Sequence, residues 1–251
     1  MSGHSKWATT KHKKAAVDAK RGKLFTKLIR EITVAAKSGG GSIEANPRLR
    51  LAIQKAREAN MPHDTVERAI KKGTGELGGE SFEAVTYEGY GPGGVAVLIE
   101  VLTDNKNRTS SELRSLFDKR GGNLAGAGSV SWIFKRKGYF LVEKQGVNEE
   151  ELLTVTLEHG AEDMKTEGNL FEITSDVKDF ERLKTALQRP PFKLQTSEIT
   201  LVPSTSVKVA GEQAKQLLQL IESLEEHDDV QNVYANFDIP EEILQAVAKE
   251  N

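Results

Sequence analysis

Residues 139–202 read YFLVEKQGVNEEELLTVTLEHGAEDMKTEGNLFEITSDVKDFERLKTALQRPPFKLQTSEITLV, and this stretch decides the fold class. Tyr139 to Lys144 is an apolar strand, and Asn148 caps a helix that runs to His159, with Gly160 behind it. Met164–Thr166 and Leu170–Thr174 form a hairpin around Glu167-Gly168-Asn169. Phe180, Leu183 and Leu187 mark a second helix, which Pro190-Pro191 terminates, and Ser197–Val202 is the last strand. The resulting order, β-α-β-β-α-β, is that of a ferredoxin-like unit.

The flanks supply the elements of a second unit. Ala84–Gly89 and Val95–Leu102 read as strands, and Thr109–Arg120 as a helix with a Thr109/Glu112 capping box. Ser129–Lys135 reads as a strand, Glu212–Glu226 as a long amphipathic helix, and Val230–Phe237 as a strand. Pro240 opens a short terminal helix. The simplest arrangement is one α+β domain (82–136 plus 204–251) with another (137–203) inserted in it.

From Lys23 to a glycine-rich linker at residues 73–81, the period is helical. Residues 1–22 are basic and weakly amphipathic, and Gly22 interrupts them. Phe25, Ile29, Ile32 and Ala36 continue as a helix that Ser38-Gly39-Gly40-Gly41-Ser42 ends. Asn46 caps the next helix at Pro47, and Asn60-Met61-Pro62 stops it. A third helix starts at an Asp64/Glu67 capping box and closes at Lys71-Lys72-Gly73. The expectation is an α+β protein of three domains: an N-terminal helical bundle (1–75) followed by two ferredoxin-like α+β domains.

The charge is divided as sharply as the fold. The formal net charge of −2 is the sum of +11 over residues 1–75 and −13 over residues 76–251. A one-sided basic run, interleaved with Trp7 and two histidines, is the footprint of a surface that meets a polyanion. The candidate nucleic-acid-binding residues are Lys6, Trp7, Lys11, His12, Lys13, Lys14, Lys20, Arg21, Lys23, Lys27 and Arg30. The chain has no cysteine, which excludes disulfides, thiolate metal sites and cysteine nucleophiles. With no apolar membrane-length run and no secretory signal, the expected setting is cytoplasmic, away from membranes.

Catalytic readings find little support. Gly89-Tyr90-Gly91-Pro92-Gly93-Gly94 contains G-x-G-x-x-G, but a strand follows it and Pro92 removes an N–H, so it reads as a hairpin loop rather than a dinucleotide cradle. Its tyrosines, Tyr87 and Tyr90, are read as exposed rings able to stack on a base, a secondary contact. The histidines (His4, His12, His63, His159, His227) lack metal-ligand spacing. The acidic pairs and triplets fall at helix ends, where carboxylates have structural reasons to be. No nucleophile–base arrangement emerges, so the expectation is a non-enzyme without cofactor, metal or small-molecule substrate.

Several motifs are similar to those of the YebC family. They are Gly3-His4-Ser5-Lys6-Trp7, Lys11-His12-Lys13-Lys14-Ala15-Ala16, Asp18-Ala19-Lys20-Arg21-Gly22-Lys23 and Asn46-Pro47-Arg48-Leu49-Arg50. Ala59-Asn60-Met61-Pro62, Tyr87 to Gly94, Asp104 to Thr109 and Gly128-Ser129-Val130-Ser131-Trp132 complete the set. Thr9-Thr10 and Ala125 depart from the family pattern without removing a charge. The resemblance implies a helical N-terminal domain and two α+β domains, the third inserted in the second. It also implies a DNA-binding transcriptional regulator, as bacterial members are described. Related mitochondrial members activate translation of a cytochrome oxidase subunit, and bacterial relatives are linked to the ribosome, so structured ribosomal RNA is the alternative target. A reading of another class makes the acidic body a protein-interaction module.

Overall fold

The structure, a computed structural model, describes residues 17–78, 82–240 and 243–244. It opens with three helices, α1 (Val17–Gly39), α2 (Pro47–Glu58) and α3 (His63–Thr74). The chain then runs β1 (Glu83–Gly91), β2 (Val95–Thr103), α4 (Lys106–Lys119), β3 (Asn123–Ala125) and β4 (Phe134–Glu143). Next come α5 (Glu149–Glu158), β5 (Ala161–Glu167), β6 (Leu170–Ser175), α6 (Phe180–Leu187) and β7 (Leu194–Pro203). It closes with β8 (Val207–Lys208), α7 (Gly211–Glu226), β9 (Val230–Ala235) and β10 (Phe237–Asp238).

Gly22 does not interrupt α1. A glycine in a solvated helix interior costs only about 1 kcal/mol, and the packed remainder of the helix offsets that. Leu28, Ile32, Ala35 and Ala36 of α1 bury against Leu49, Ala52, Ile53 and Ala56 of α2 and Val66 and Ala69 of α3. At the α1–α3 crossing a Cβ on Gly73 would lie 2.4 Å from the Thr33 carbonyl, so this glycine sets how closely the helices approach. Asn46 fastens the turn between α1 and α2. Its Oδ1 accepts from the Leu49 N–H at 3.0 Å, and its amide donates to the Ala35 and Gly40 carbonyls at 2.8 and 2.9 Å. No capping box forms at Asp64; α3 begins at His63 behind Pro62, with Asp64 in its first turn.

β1, β2, β3 and β9 form one antiparallel sheet in the order β3-β1-β2-β9. Val95, Val97, Ile99 and Val101 of β2 face α4 and α7 and make the largest core with Leu113, Phe117, Leu217 and Ile221. The alternate residues Ala96 and Leu98 pack against Val130, Ile133 and Phe134, and Leu102 packs against Val34 of α1 and Phe82. β2 is therefore buried on both faces, as its unbroken apolar run requires. The loop at 92–94 joins β1 to β2 as a hairpin, with Gly93 and Gly94 at φ of 75° and 76°.

Two local expectations change. The helix expected from Thr109 starts at Lys106, because Asn105 accepts from the Arg108 N–H at 3.0 Å and Thr109 is buried in another role. The strand expected over Ser129–Lys135 is a short 3₁₀ turn at Ser131–Ile133 that runs into β4. The buried residues there, Val130 and Ile133, are three apart, a helical spacing rather than a strand's alternation.

β4 to β7 form the inserted sheet, in the order β5-β6-β4-β7, antiparallel throughout. α5 and α6 cover one face through Leu152, Phe180, Leu183 and Leu187, packed on Phe140, Val142, Phe171 and Ile173. This is the ferredoxin-like topology expected from residues 139–202. The chain is mixed α+β, as its sequence indicates. Among the described residues no helix is long and apolar enough to cross a membrane.

Candidate nucleic-acid interface

α1 carries the basic sequence and has two working stripes. Phe25, Leu28, Ile29, Ile32 and Ala36 face the helical core. Lys27, Arg30 and Val34, spaced three and four apart, face the β2–β9 body. Among the described side chains of α1, Gly22, Lys23 and Leu24 are exposed and packing on the core begins at Phe25; Lys20 and Arg21 lie on the turns before these.

The body-facing stripe ends on a buried carboxylate. Asp229, whose side chain is 3% exposed, follows α7 in the turn that leads into β9. Arg30 donates to its Oδ1 at 2.6 Å and also to the Asp228 carbonyl. Arg108 donates to Oδ2 at 2.8 Å, and the hydroxyls of Thr109 and Thr103 donate to the same oxygen. Burial disfavours the ionised form. The hydrogen bonds from Thr109 and Arg108 and the charge of Arg30 outweigh it, and the carboxyl pKa is lowered to about 2. Lys27 donates to the Glu225 carbonyl at 2.7 Å, placing a cation at the C-terminal end of α7, where the helix dipole favours it. Phe82 completes the joint, with the Arg30 guanidinium and the Lys72 ammonium 5.2 and 5.1 Å from its ring centre.

The candidate residues thus divide. Lys6, Trp7, Lys11, His12, Lys13 and Lys14 lie outside the described residues. Lys20 and Arg21 lie on the first turns of α1, and Lys23 is exposed just after them. Lys27 and Arg30 hold α1 to the body, so Arg30's charge is matched by the protein's own carboxylate.

The tyrosines are not the exposed rings expected. Tyr87 packs on the helix-facing core and donates to the Lys106 carbonyl at 3.0 Å. Tyr90 packs on the opposite face against Ala96 and Leu98 and donates to the Ser129 carbonyl at 3.0 Å. Both rings are half-buried, each with one side packed on the protein.

Glu112, His227 and Asp229 converge within 4.8 Å, a spacing that could suit a cation. Their bonds oppose it. Asp229 already meets two guanidinium groups, and His227 Nδ1 accepts from the Asp229 N–H at 3.1 Å while Nε2 faces Glu112 at 2.8 Å. The cluster braces the Asp229 turn.

Sequence reading missed one loop. Glu88, 5% exposed, accepts from the N–H groups of Gly128, Val130 and Ser131 at 2.8, 2.6 and 2.9 Å. The loop it holds presents Trp132 to solvent. A carboxylate set between Tyr87 and Gly89 inside β1 was the available signal.

Together these features define a class: a helical head with a basic leading end, joined by a buried ion-pair cluster to a body built on two four-stranded antiparallel sheets, one inserted in the other. The comparisons give the family. Residues 5–76 match the TACO1/YebC protein N-terminal domain, and residues 82–237 match the TACO1/YebC second and third domain. The chain belongs to the TACO1/YebC family. A probable transcriptional regulatory protein of Natranaerobius thermophilus is 57% identical over 248 residues, covering 98% of this chain and 99% of the relative. A protein of the same description from Carboxydothermus hydrogenoformans is 56% identical, covering 95% of this chain and 99% of the relative. The crystal structure of a conserved hypothetical protein from Aquifex aeolicus superposes with a TM-score of 0.77 at 52% identity, covering 92% of this chain and 96% of that one.

Proposed function

We propose that the protein is a non-enzymatic regulator of gene expression that binds DNA through the basic leading end of its helical head. The observation that carries this reading is the division of labour along α1. Lys27 and Arg30 fix the helix to the body, while Lys23 is exposed and Lys20 and Arg21 lie on the turns before it. The +11 charge of residues 1–75 supports it, as does the name shared by the relatives, probable transcriptional regulatory protein. Cations of this kind grip phosphates and release counterions, which gives affinity and orientation before it gives sequence readout.

Salt titration of duplex binding tests the reading. With about 6 to 8 phosphate contacts, the slope of log affinity against log salt is about −5 to −7. Charge reversal at Lys13, Lys14, Lys20 and Arg21 together nearly abolishes binding and leaves the melting temperature close to the parent's. A variant that binds DNA as the parent does overturns the assignment.

A further inference from the structure

Trp132 is the one aromatic among the exposed large hydrophobic side chains of the described residues, at 69% exposure. It is far from loose. Its neighbours Val130 and Ile133 are buried anchors on either side of the 3₁₀ turn, and the Ile133 N–H donates to the Val130 carbonyl at 3.0 Å. The indole N–H donates to the Ser129 carbonyl at 3.0 Å, the same oxygen that takes the Tyr90 hydroxyl. Behind the loop stands Glu88 with its three backbone donors. The ring's polar edge is thus satisfied internally, and a rigid apolar face is left to solvent.

The charge beside it indicates what lies on that face. Trp132 leads directly into β4, where Lys135 and Arg136 are exposed on alternate faces, three and four residues on and within about 14 Å of chain. Lys137 pairs with Glu162 and Lys165 with Asp163, whereas among the described residues Lys135 and Arg136 have no ion-pair partner. A fixed aromatic face next to unmatched cations suits an unpaired base together with its phosphate. A proline-rich peptide seeks a groove lined by several aromatic rings, and among the described residues Trp132 is the one exposed large aromatic.

We propose that Trp132, with Lys135 and Arg136, is a stacking platform for a single-stranded segment of nucleic acid, a second contact separate from the basic head. This rests on the nucleic-acid reading above, and it adds that the target contains unpaired bases. A base within a duplex is already stacked on its neighbours and leaves this ring nothing to cover.

The chain holds two tryptophans, so a Trp7→Phe protein reports Trp132 emission alone. Titrated with oligouridylate and oligothymidylate, that protein shows saturable quenching, and an oligoproline peptide does not produce it. By anisotropy with a labelled single strand, Trp132→Ala weakens binding about 5- to 100-fold, and Trp132→Phe retains part of the affinity. Lys135→Glu makes the salt slope shallower by about one unit on the same single strand. Neither Trp132 variant alters duplex binding. If oligonucleotides leave the emission unchanged, if oligoproline quenches it instead, or if Trp132→Ala binds single strands as the parent does, the platform is refuted. The variant reversed at Lys13, Lys14, Lys20 and Arg21 keeps the two readings apart. If it binds duplex normally while Trp132→Ala loses single strands, the head assignment fails and the platform stands; the opposite pattern removes the platform alone.

Discussion

Arg30 Nη1 lies 2.6 Å from Asp229 Oδ1, which ties the first described helix to a turn 199 residues further along the chain. The Arg30 side chain is only 14% exposed, so solvent screens this pair far less than a surface pair. Truncating one partner strands the other's charge in a poorly hydrated site. Arg30→Ala is therefore expected to destabilise the protein by about 3 kcal/mol in urea unfolding. The paired change Arg30→Ala with Asp229→Ala costs less than the two single changes added together, which a double-mutant cycle measures.

The same carboxylate sets an acid limit. Its folded pKa of about 2 lies below the ordinary carboxylate value, so the ionised form stabilises the fold. That contribution is complete above about pH 4 and is lost as pH falls through about 2. Its full size is about 2 kcal/mol. Stability measured against pH for the parent and for Asp229→Asn gives two curves whose separation narrows across this window. A constant separation down to pH 2 contradicts the assignment.

Glu88 makes a similar case away from the head. Burial works against its ionisation, but the N–H donors of Val130, Gly128 and Ser131 prevail, and its pKa is lowered. An amide in its place turns an NH₂ group towards backbone N–H donors. Glu88→Gln is expected to cost about 3 kcal/mol. It also frees the 128–132 loop, which the steady-state anisotropy of Trp132 emission in a Trp7→Phe background reads directly. Unchanged anisotropy means that the loop is held by something else.

Much of this architecture is legible from residues near one another in sequence. The Asn46-Pro47 cap, the Asn148 cap and the β-α-β-β-α-β order of 139–202 all follow from neighbours within a turn or a strand. What escaped is set by distant partners. Thr109 resembles a cap until Asp229 takes its hydroxyl, and Arg30 resembles a phosphate contact until the fold brings that same carboxylate to it. Tyr87 and Tyr90 look exposed in a glycine-rich hairpin until the core under α4 and α7 and the 130–134 crossover each take one side of a ring, leaving both half-buried. A charge run records how many cations α1 holds; only tertiary contacts say which of them face outward.

That distinction yields a last test. Lys23 and Arg30 lie seven residues apart on one helix and were equal candidates by sequence, yet Lys23 is exposed and Arg30 is not. A cation presented to solvent contributes to phosphate binding and little to stability, because water already solvates it in the free protein. Lys23→Glu is therefore expected to leave the urea midpoint within error and to weaken duplex binding, with a salt slope shallower by about 0.9. Arg30→Gln is expected to do the reverse at low denaturant: a lower midpoint, an unchanged salt slope, and affinity reduced only as far as the head loses its fixed seat on the body. Measuring both quantities on both variants separates gripping from anchoring. Equal salt slopes for Lys23→Glu and the parent would remove Lys23 from the interface.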